Sequence, residues 1–210
     1  MTVRSDSMKP ADIESRSFAI ITEILAENGQ QLDPVNASVI MRCIHTSADF
    51  DYVENLFFSQ QAVLRLQEAL RAGCVVVTDT QMARAGINKK TAALHGVDVE
   101  CFMADEDVAV EAKERGVTRA LVSMEKSMRL ERPVIFAVGN APTALLRLYE
   151  AITKEGFSPA GIIAVPVGFV NVVESKEHIV TCPVPCIVAR GRKGGSNIAA
   201  AICNALIYDL

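Results

Sequence analysis

The stretch Cys74-Val75-Val76-Val77-Thr78, followed at once by Asp79-Thr80-Gln81-Met82, decides the fold. Its apolar, β-branched residues run without polar alternation, as in a strand buried on both faces of a parallel sheet. Four runs of the same kind follow at 97–102, 134–138, 161–165 and 186–190. Helical spacing fits between and after them, at 88–95, 105–130, 141–155, 172–180 and 195–207. Such alternation predicts right-handed βαβ crossovers and a three-layer α/β domain on five mainly parallel strands. Upstream the reading is helical. Residues 11–28 carry Ile13, Phe18, Ile21, Ile24 and Leu25 at near-helical spacing before Gly29, and Asp33-Pro34 reads as an N-cap with proline at the first helical position. The helix it opens runs through Val35, Val39 and Ile40 to His45. A short segment at 51–58 leads to a third helix, capped by Ser59, with Ala62, Val63, Leu66 and Leu70 on its apolar face.

The 210 residues fit a single domain, with residues 1–10 expected to be flexible. Half of the chain is hydrophobic and 22% is charged, enough for a well-filled core. A net charge of -4 argues against a nucleic-acid partner, which needs a broad basic surface. The sequence contains no apolar run of membrane-spanning length, and Asp6, Asp12 and Glu14 do not suit a signal peptide, so a cytoplasmic protein without membrane contact is expected. The six cysteines mostly sit in apolar runs and are expected to be reduced. His178, Cys182 and Cys186 recur every four residues, but Pro183 and Pro185 break any helix that would align them, and no second ligand cluster exists, so no metal site is expected.

In open α/β sheets ligands bind beyond the carboxyl ends of the strands. The residues there are Asp79 and Thr80 after the first run, Gly139, Asn140 and Thr143 after the third, Gly168 after the fourth, and Gly191, Arg192, Gly194 and Ser196 after the fifth. Three of these four loops bring glycine to a helix start, where unpaired amides and the helix dipole favour an anion. Neither phosphate-loop nor dinucleotide-binding spacing is present, which leaves carboxylates as ligands beside a nucleotide or sugar phosphate. Arg16, Arg42, Arg119, Arg190 and Arg192 can add positive charge, although each taken singly also reads as a solvated surface residue. His45, within Arg42-Cys43-Ile44-His45-Thr46-Ser47, is an acid–base candidate one helical turn from Arg42. On the local sequence alone it reads more readily as a helix-end histidine beside the terminal carbonyls. The sequence has no Gly-x-Ser-x-Gly elbow, and Cys43 lies two residues from His45, so a nucleophile is not evident.

Seven segments in order resemble the precorrin-8X and cobalt-precorrin-8 methylmutases of corrin-ring biosynthesis. They are Arg16-Ser17-Phe18-Ala19-Ile20-Ile21, Arg42-x-x-His45, Gly116-x-Thr118-Arg119, Gly139-Asn140-Ala141-Pro142-Thr143-Ala144-Leu145, Pro166-Val167-Gly168-Phe169-Val170, Glu174-Ser175-Lys176 and Gly191-Arg192-x-Gly194-Gly195-Ser196. The resemblance spans nearly the whole chain. It implies a flavodoxin-like fold with extra N-terminal helices, a homodimer with sites near the subunit interface, and an isomerase that moves a methyl group from C-11 to C-12 of a corrinoid. It implies His45 as the catalytic group, Ser17 and Arg42 as substrate contacts, and the post-strand loops as pocket lining. No cofactor is implied, since any cobalt belongs to the substrate, and the next enzyme of the pathway is a candidate for transient contact. Ala120 stands where family members often carry serine. A non-catalytic corrinoid carrier is the competing reading.

Overall fold

The computed structural model describes residues 10–210, so all but the last residue of the segment expected to be flexible lies outside the described residues. Three helices, α1 (Pro10–Glu27), α2 (Ala37–Ser47) and α3 (Tyr52–Asn55), precede strand β1 (Leu56–Phe58) and helix α4 (Ala62–Arg71). There follow β2 (Val75–Thr78), α5 (Gln81–Gly86), α6 (Lys89–Leu94), β3 (Asp98–Glu100), α7 (Glu106–Arg115), α8 (Arg119–Ser127) and β4 (Val134–Val138). The chain ends with α9 (Pro142–Lys154), β5 (Gly161–Ala164), α10 (Val172–Val180), β6 (Cys186–Ala189) and α11 (Ser196–Tyr208). None of the described helices is long and apolar enough to cross a membrane.

The strands form one sheet in the order β1-β6-β5-β4-β2-β3. All five expected strands are parallel neighbours, and their order is that of flavodoxin-like sheets. The chain leaves β2 for the β3 edge and returns to β4 on the other side of β2, which puts the topological switch between β2 and β4. Alternate residues of each strand feed two cores: Val76, Ile135, Ile163 and Ile187 pack under α1, α2, α4 and α11, and Val77, Phe136, Ile162 and Val188 under α8, α9 and α10. All six thiols are free and buried.

Three expectations need correction. A sixth strand, β1, closes the β6 edge in antiparallel register, Leu56 opposite Ala189 and Phe58 opposite Ile187. Ser59 continues that strand rather than capping α4: its N–H donates to the Cys186 carbonyl at 3.0 Å and its Oγ accepts from the Cys186 N–H at 2.8 Å. Second, the segment 105–130 is two helices, because Gly116 takes a left-handed turn (φ +64°) and Thr118 caps α8 by accepting from the Leu121 N–H. Third, α2 opens at Ala37, since Asp33 spends its carboxylate on the Val35 N–H and the Asn36 amide in the preceding turn. Helix α5, capped by Thr80, was not anticipated.

Candidate active site

At the switch point the carboxylate of Asp79 enters the start of α9. It accepts hydrogen bonds from the N–H groups of Gly139 (2.8 Å), Asn140 (2.8 Å) and Ala141 (2.6 Å), and it is wholly buried. Burial pushes its carboxyl pKa up against the downward pull of those three donors. Three successive amides at a helix start form a nest for an anion. Here the chain supplies the anion itself. Asp79, expected to contact substrate, therefore faces the interior, and the place where this sheet order takes a nucleotide phosphate is filled.

Around this plug the loops of neighbouring strands are tied together. Thr80 caps α5 with an oxygen that also lies 2.7 Å from Ser196 Oγ at the start of α11. The Gly195 N–H donates to the Val165 carbonyl at 2.8 Å, and the Gly168 N–H to the Arg192 carbonyl at 3.2 Å. Gly194 has a φ of +151°, and a Cβ there would sit 2.1 Å from the Val165 carbonyl oxygen. Gly194→Ala should accordingly cost more than about 3 kcal/mol, through both strain and a backbone clash. Gly191→Ala, where a Cβ meets open space, should cost about 1 kcal/mol from backbone conformation alone. Thermal denaturation of the two variants side by side checks the contrast.

His45 lies on the last turn of α2, which closes at Ala48 in the left-handed conformation with its N–H on the Ile44 carbonyl. The imidazole is exposed, makes no hydrogen bond among the described residues, and stacks on Phe18 of α1 with ring centroids 5.1 Å apart and an interplanar angle of 22°. Arg42 is drawn to the same ring, its guanidinium carbon 4.9 Å from the Phe18 centroid and 5.2 Å from that of Tyr208. Arg42 also pairs with Glu14. Ser17 lines the cleft of about 270 Å³ beside His45, while its hydroxyl donates to the Ile13 carbonyl one turn back. Ser17, Arg42 and His45 are thus gathered where α1 crosses α2. A salt bridge joins them to the strand ends: Lys193, in the loop after β6, reaches Asp49 at 2.7 Å and Asp51 at 2.5 Å, just beyond α2.

The other expected residues divide. Thr143 pairs its hydroxyl with Thr118 at 2.9 Å, next to exposed Arg119. Asn140 is exposed above the Asp79 nest, and Arg16 is exposed on α1. Arg190 is already committed, holding Glu177 through two hydrogen bonds of 2.9 and 2.5 Å. Ala120 is buried, so a serine hydroxyl at that position would be turned inward. His178 stacks on Tyr149, and the Cys182 and Cys186 thiols donate to carbonyls of α10. The sequence reading missed Phe18 as the shared ring and Glu14, and from the loop after β5 it took Gly168 as a site residue but not Phe169 or Val170. That loop leaves Phe169 83% and Val170 78% exposed, with the Arg192 guanidinium 5.9 Å over the Phe169 ring. Two adjacent large apolar residues in a polar-rimmed loop are the signal that was available.

Sheet order and site together define an α/β protein that offers an acid–base group beside an arginine at the rim of the strand ends, with its internal anion nest plugged. The family described as CbiC, precorrin-8X methylmutase, matches residues 12–209. The cobalt-precorrin-8 methylmutase of Salmonella typhimurium is 42% identical over 206 residues, covering 96% of both chains. The precorrin-8X methylmutase of Pseudomonas aeruginosa is 37% identical over 171 residues, covering 80% of this chain and 82% of that one. Among solved structures, precorrin-8X methyl mutase from Thermus thermophilus superposes with a TM-score of 0.84 at 38% identity, covering 93% of this chain and 96% of that chain. The chain belongs to the precorrin-8X methylmutase family, isomerases of cobalamin biosynthesis.

Proposed function

We propose that this protein moves a methyl group from C-11 to C-12 of precorrin-8X or cobalt-precorrin-8, giving hydrogenobyrinate or cobyrinate, with His45 as proton donor. The observation that carries this is the meeting of an exposed imidazole and a guanidinium on one aromatic ring, Phe18, where α1 crosses α2. Moving a methyl between adjacent ring carbons is redox-neutral and needs neither an external nucleophile nor a cofactor, and cobalt, where present, is part of the substrate. A proton placed on the macrocycle makes the acceptor carbon more electron-poor and favours a sigmatropic shift into the more conjugated product. That proton is borrowed and returned when the product forms, so the step balances as an isomerisation. A positioned general acid contributes about 100- to 10,000-fold.

The substrate's acetate and propionate arms suit Arg42, Arg119 and Arg192, and its flat apolar faces suit Val167, Phe169 and Val170, all exposed beside Arg192. The cleft beside His45, about 270 Å³, falls below the usual range for ligand pockets of about 300–1,000 Å³. A homodimer with the site near the subunit interface, as the family resemblance implies, is part of the same proposal. A cytoplasmic location and transient hand-over of product to the next pathway enzyme complete the reading.

Arg42 is paired with Glu14 through Nη1 alone, so a ligand carboxylate can take its other N–H groups or displace Glu14. Arg42→Ala should raise the dissociation constant for hydrogenobyrinate about 10- to 100-fold, the worth of one hydrogen bond to a charged group, in an absorbance titration. Unchanged binding would make Arg42 a tie between α1 and α2. Incubation of the purified protein with each substrate form, followed by visible spectroscopy, tests the reaction itself. A bound-ligand spectrum without conversion would leave a carrier.

A further inference from the structure

Lys176 of α10 is a lysine with no exposed surface, and the chemistry above does not use it. Its ammonium donates to the Gly191 carbonyl at 2.9 Å and to the Lys193 carbonyl at 2.8 Å. The carbonyl between them, Arg192, accepts from the Gly168 N–H. Three consecutive carbonyls of the post-β6 loop are therefore held from within, while the side chains of Arg192 and Lys193 remain exposed. Arg192 lies over Phe169, and Lys193 grips Asp49 and Asp51, four and six residues beyond His45.

A buried ammonium is costly unless it is compensated. Among the described residues Lys176 has no carboxylate in hydrogen-bond contact, because its neighbour Glu177 is engaged with Arg190. Methionine would fill the same space without that cost. What it could not supply is the pair of N–H bonds that turn the loop carbonyls inward.

We propose that Lys176 is a positioning residue, which fixes the Gly191–Lys193 backbone so that Arg192 meets a carboxylate of the substrate. The inference rests on the reading that the strand-end rim takes a carboxylated macrocycle. Burial also pushes the Lys176 amine down to about 8, against a small upward pull from Glu177, whose own charge is shared with Arg190. Above that pH the amine keeps two N–H groups but loses the charge that strengthens its bonds to carbonyls.

The test compares wild type, Lys176→Met, Lys176→Gln and Arg192→Ala. In absorbance titrations with hydrogenobyrinate, Lys176→Met should bind about tenfold more weakly, as expected for lost hydrogen bonds to a charged group, and Lys176→Gln should fall between it and wild type. Turnover at saturating substrate should change far less than KM. Adding Lys176→Met to Arg192→Ala should weaken binding less than it does in wild type, since the lysine acts through the arginine. Wild-type affinity in Lys176→Met, full additivity in the double variant, or an equal loss in kcat would each overturn the proposal.

A readout without substrate separates this from the function itself. A lysine whose pKa falls on folding leaves the unfolded chain with the extra proton between pH 8 and the ordinary lysine value. Wild-type stability should therefore rise with pH across that window, relative to Lys176→Met. Identical slopes would mean that the folded amine keeps the ordinary lysine pKa and would overturn the reading of Lys176 as an ammonium held at a desolvation cost. If no form of the protein binds the corrinoid, the functional reading fails, while the slopes still report on Lys176.

Discussion

His45→Ala is expected to bind the corrinoid nearly as wild type does while losing about 100- to 10,000-fold in turnover, the range a positioned general acid contributes. The separation of the two effects follows from the surroundings of the imidazole. It is exposed, has no hydrogen-bond partner among the described residues, and touches the fold through one stacked ring, Phe18. An aromatic pair of this kind contributes about 0.5–1.5 kcal/mol beyond its buried area, so α2 and the cleft should survive its removal. Wild-type turnover in the purified variant would refute the assignment. A parallel loss of affinity and rate would make His45 a binding group instead of a proton donor. Single-turnover spectra at saturating enzyme distinguish these results, because they take binding out of the measured rate.

The largest effect on stability is expected at Asp79. Its carboxylate is the acceptor for three backbone N–H groups, those of Gly139, Asn140 and Ala141, in a site closed to water. Asp79→Ala deletes all three bonds at once. With roughly 1–3 kcal/mol for each buried donor left without a partner, a loss of at least about 3 kcal/mol is expected. For a chain of this size that is a fall in Tm of about 6–12 °C. Asp79→Asn tests whether charge and acceptor capacity matter beyond shape, since its amide NH2 would point at an N–H donor. With its oxygen toward the Asn140 and Ala141 N–H groups it keeps two of the three bonds and sets its NH2 against Gly139, so it should be destabilised less than the alanine variant but clearly relative to wild type. A melting temperature within a degree of wild type for Asp79→Asn would show that the nest does not need a carboxylate.

Much of the architecture could be read from the chain because buried parallel strands write themselves as unbroken β-branched runs, as at Val75-Val76-Val77. The three residues of β1 carry no such run, and their pairing with β6 depends on a backbone partner about 130 positions away, which no local pattern encodes. The break at Gly116 was legible in principle, since glycine followed by Thr118 is a stop and a start in succession. His45, Arg42 and Ser17 were found through helical spacing and family resemblance, and the fold gathers them where α1 crosses α2. Asp79 was misread because an acidic residue after a strand ordinarily faces the ligand. Only the three-dimensional meeting of β2 with the start of α9 turns it inward. The pairing of Arg190 with Glu177 was not legible for a similar reason, as Glu177 lies on another element. Lys176 went unassigned because burial of a charged side chain leaves no mark in composition.

Helix α11 packs against α2 and α5, and its Tyr208 stands over Arg42. The segment at 196–208 therefore backs the helix that carries His45, although about 150 residues of sequence separate them. During synthesis the apolar side of α2, with Val39, Ile40, Cys43 and Ile44, must wait for that late segment before it is covered. Such distant closure is slow and leaves greasy surface open to aggregation or to chaperones. The seating of α2 is thus tied to the synthesis of α11: a ribosome that stalls before residue 196 leaves a nascent polypeptide that already contains His45 but cannot yet seat it.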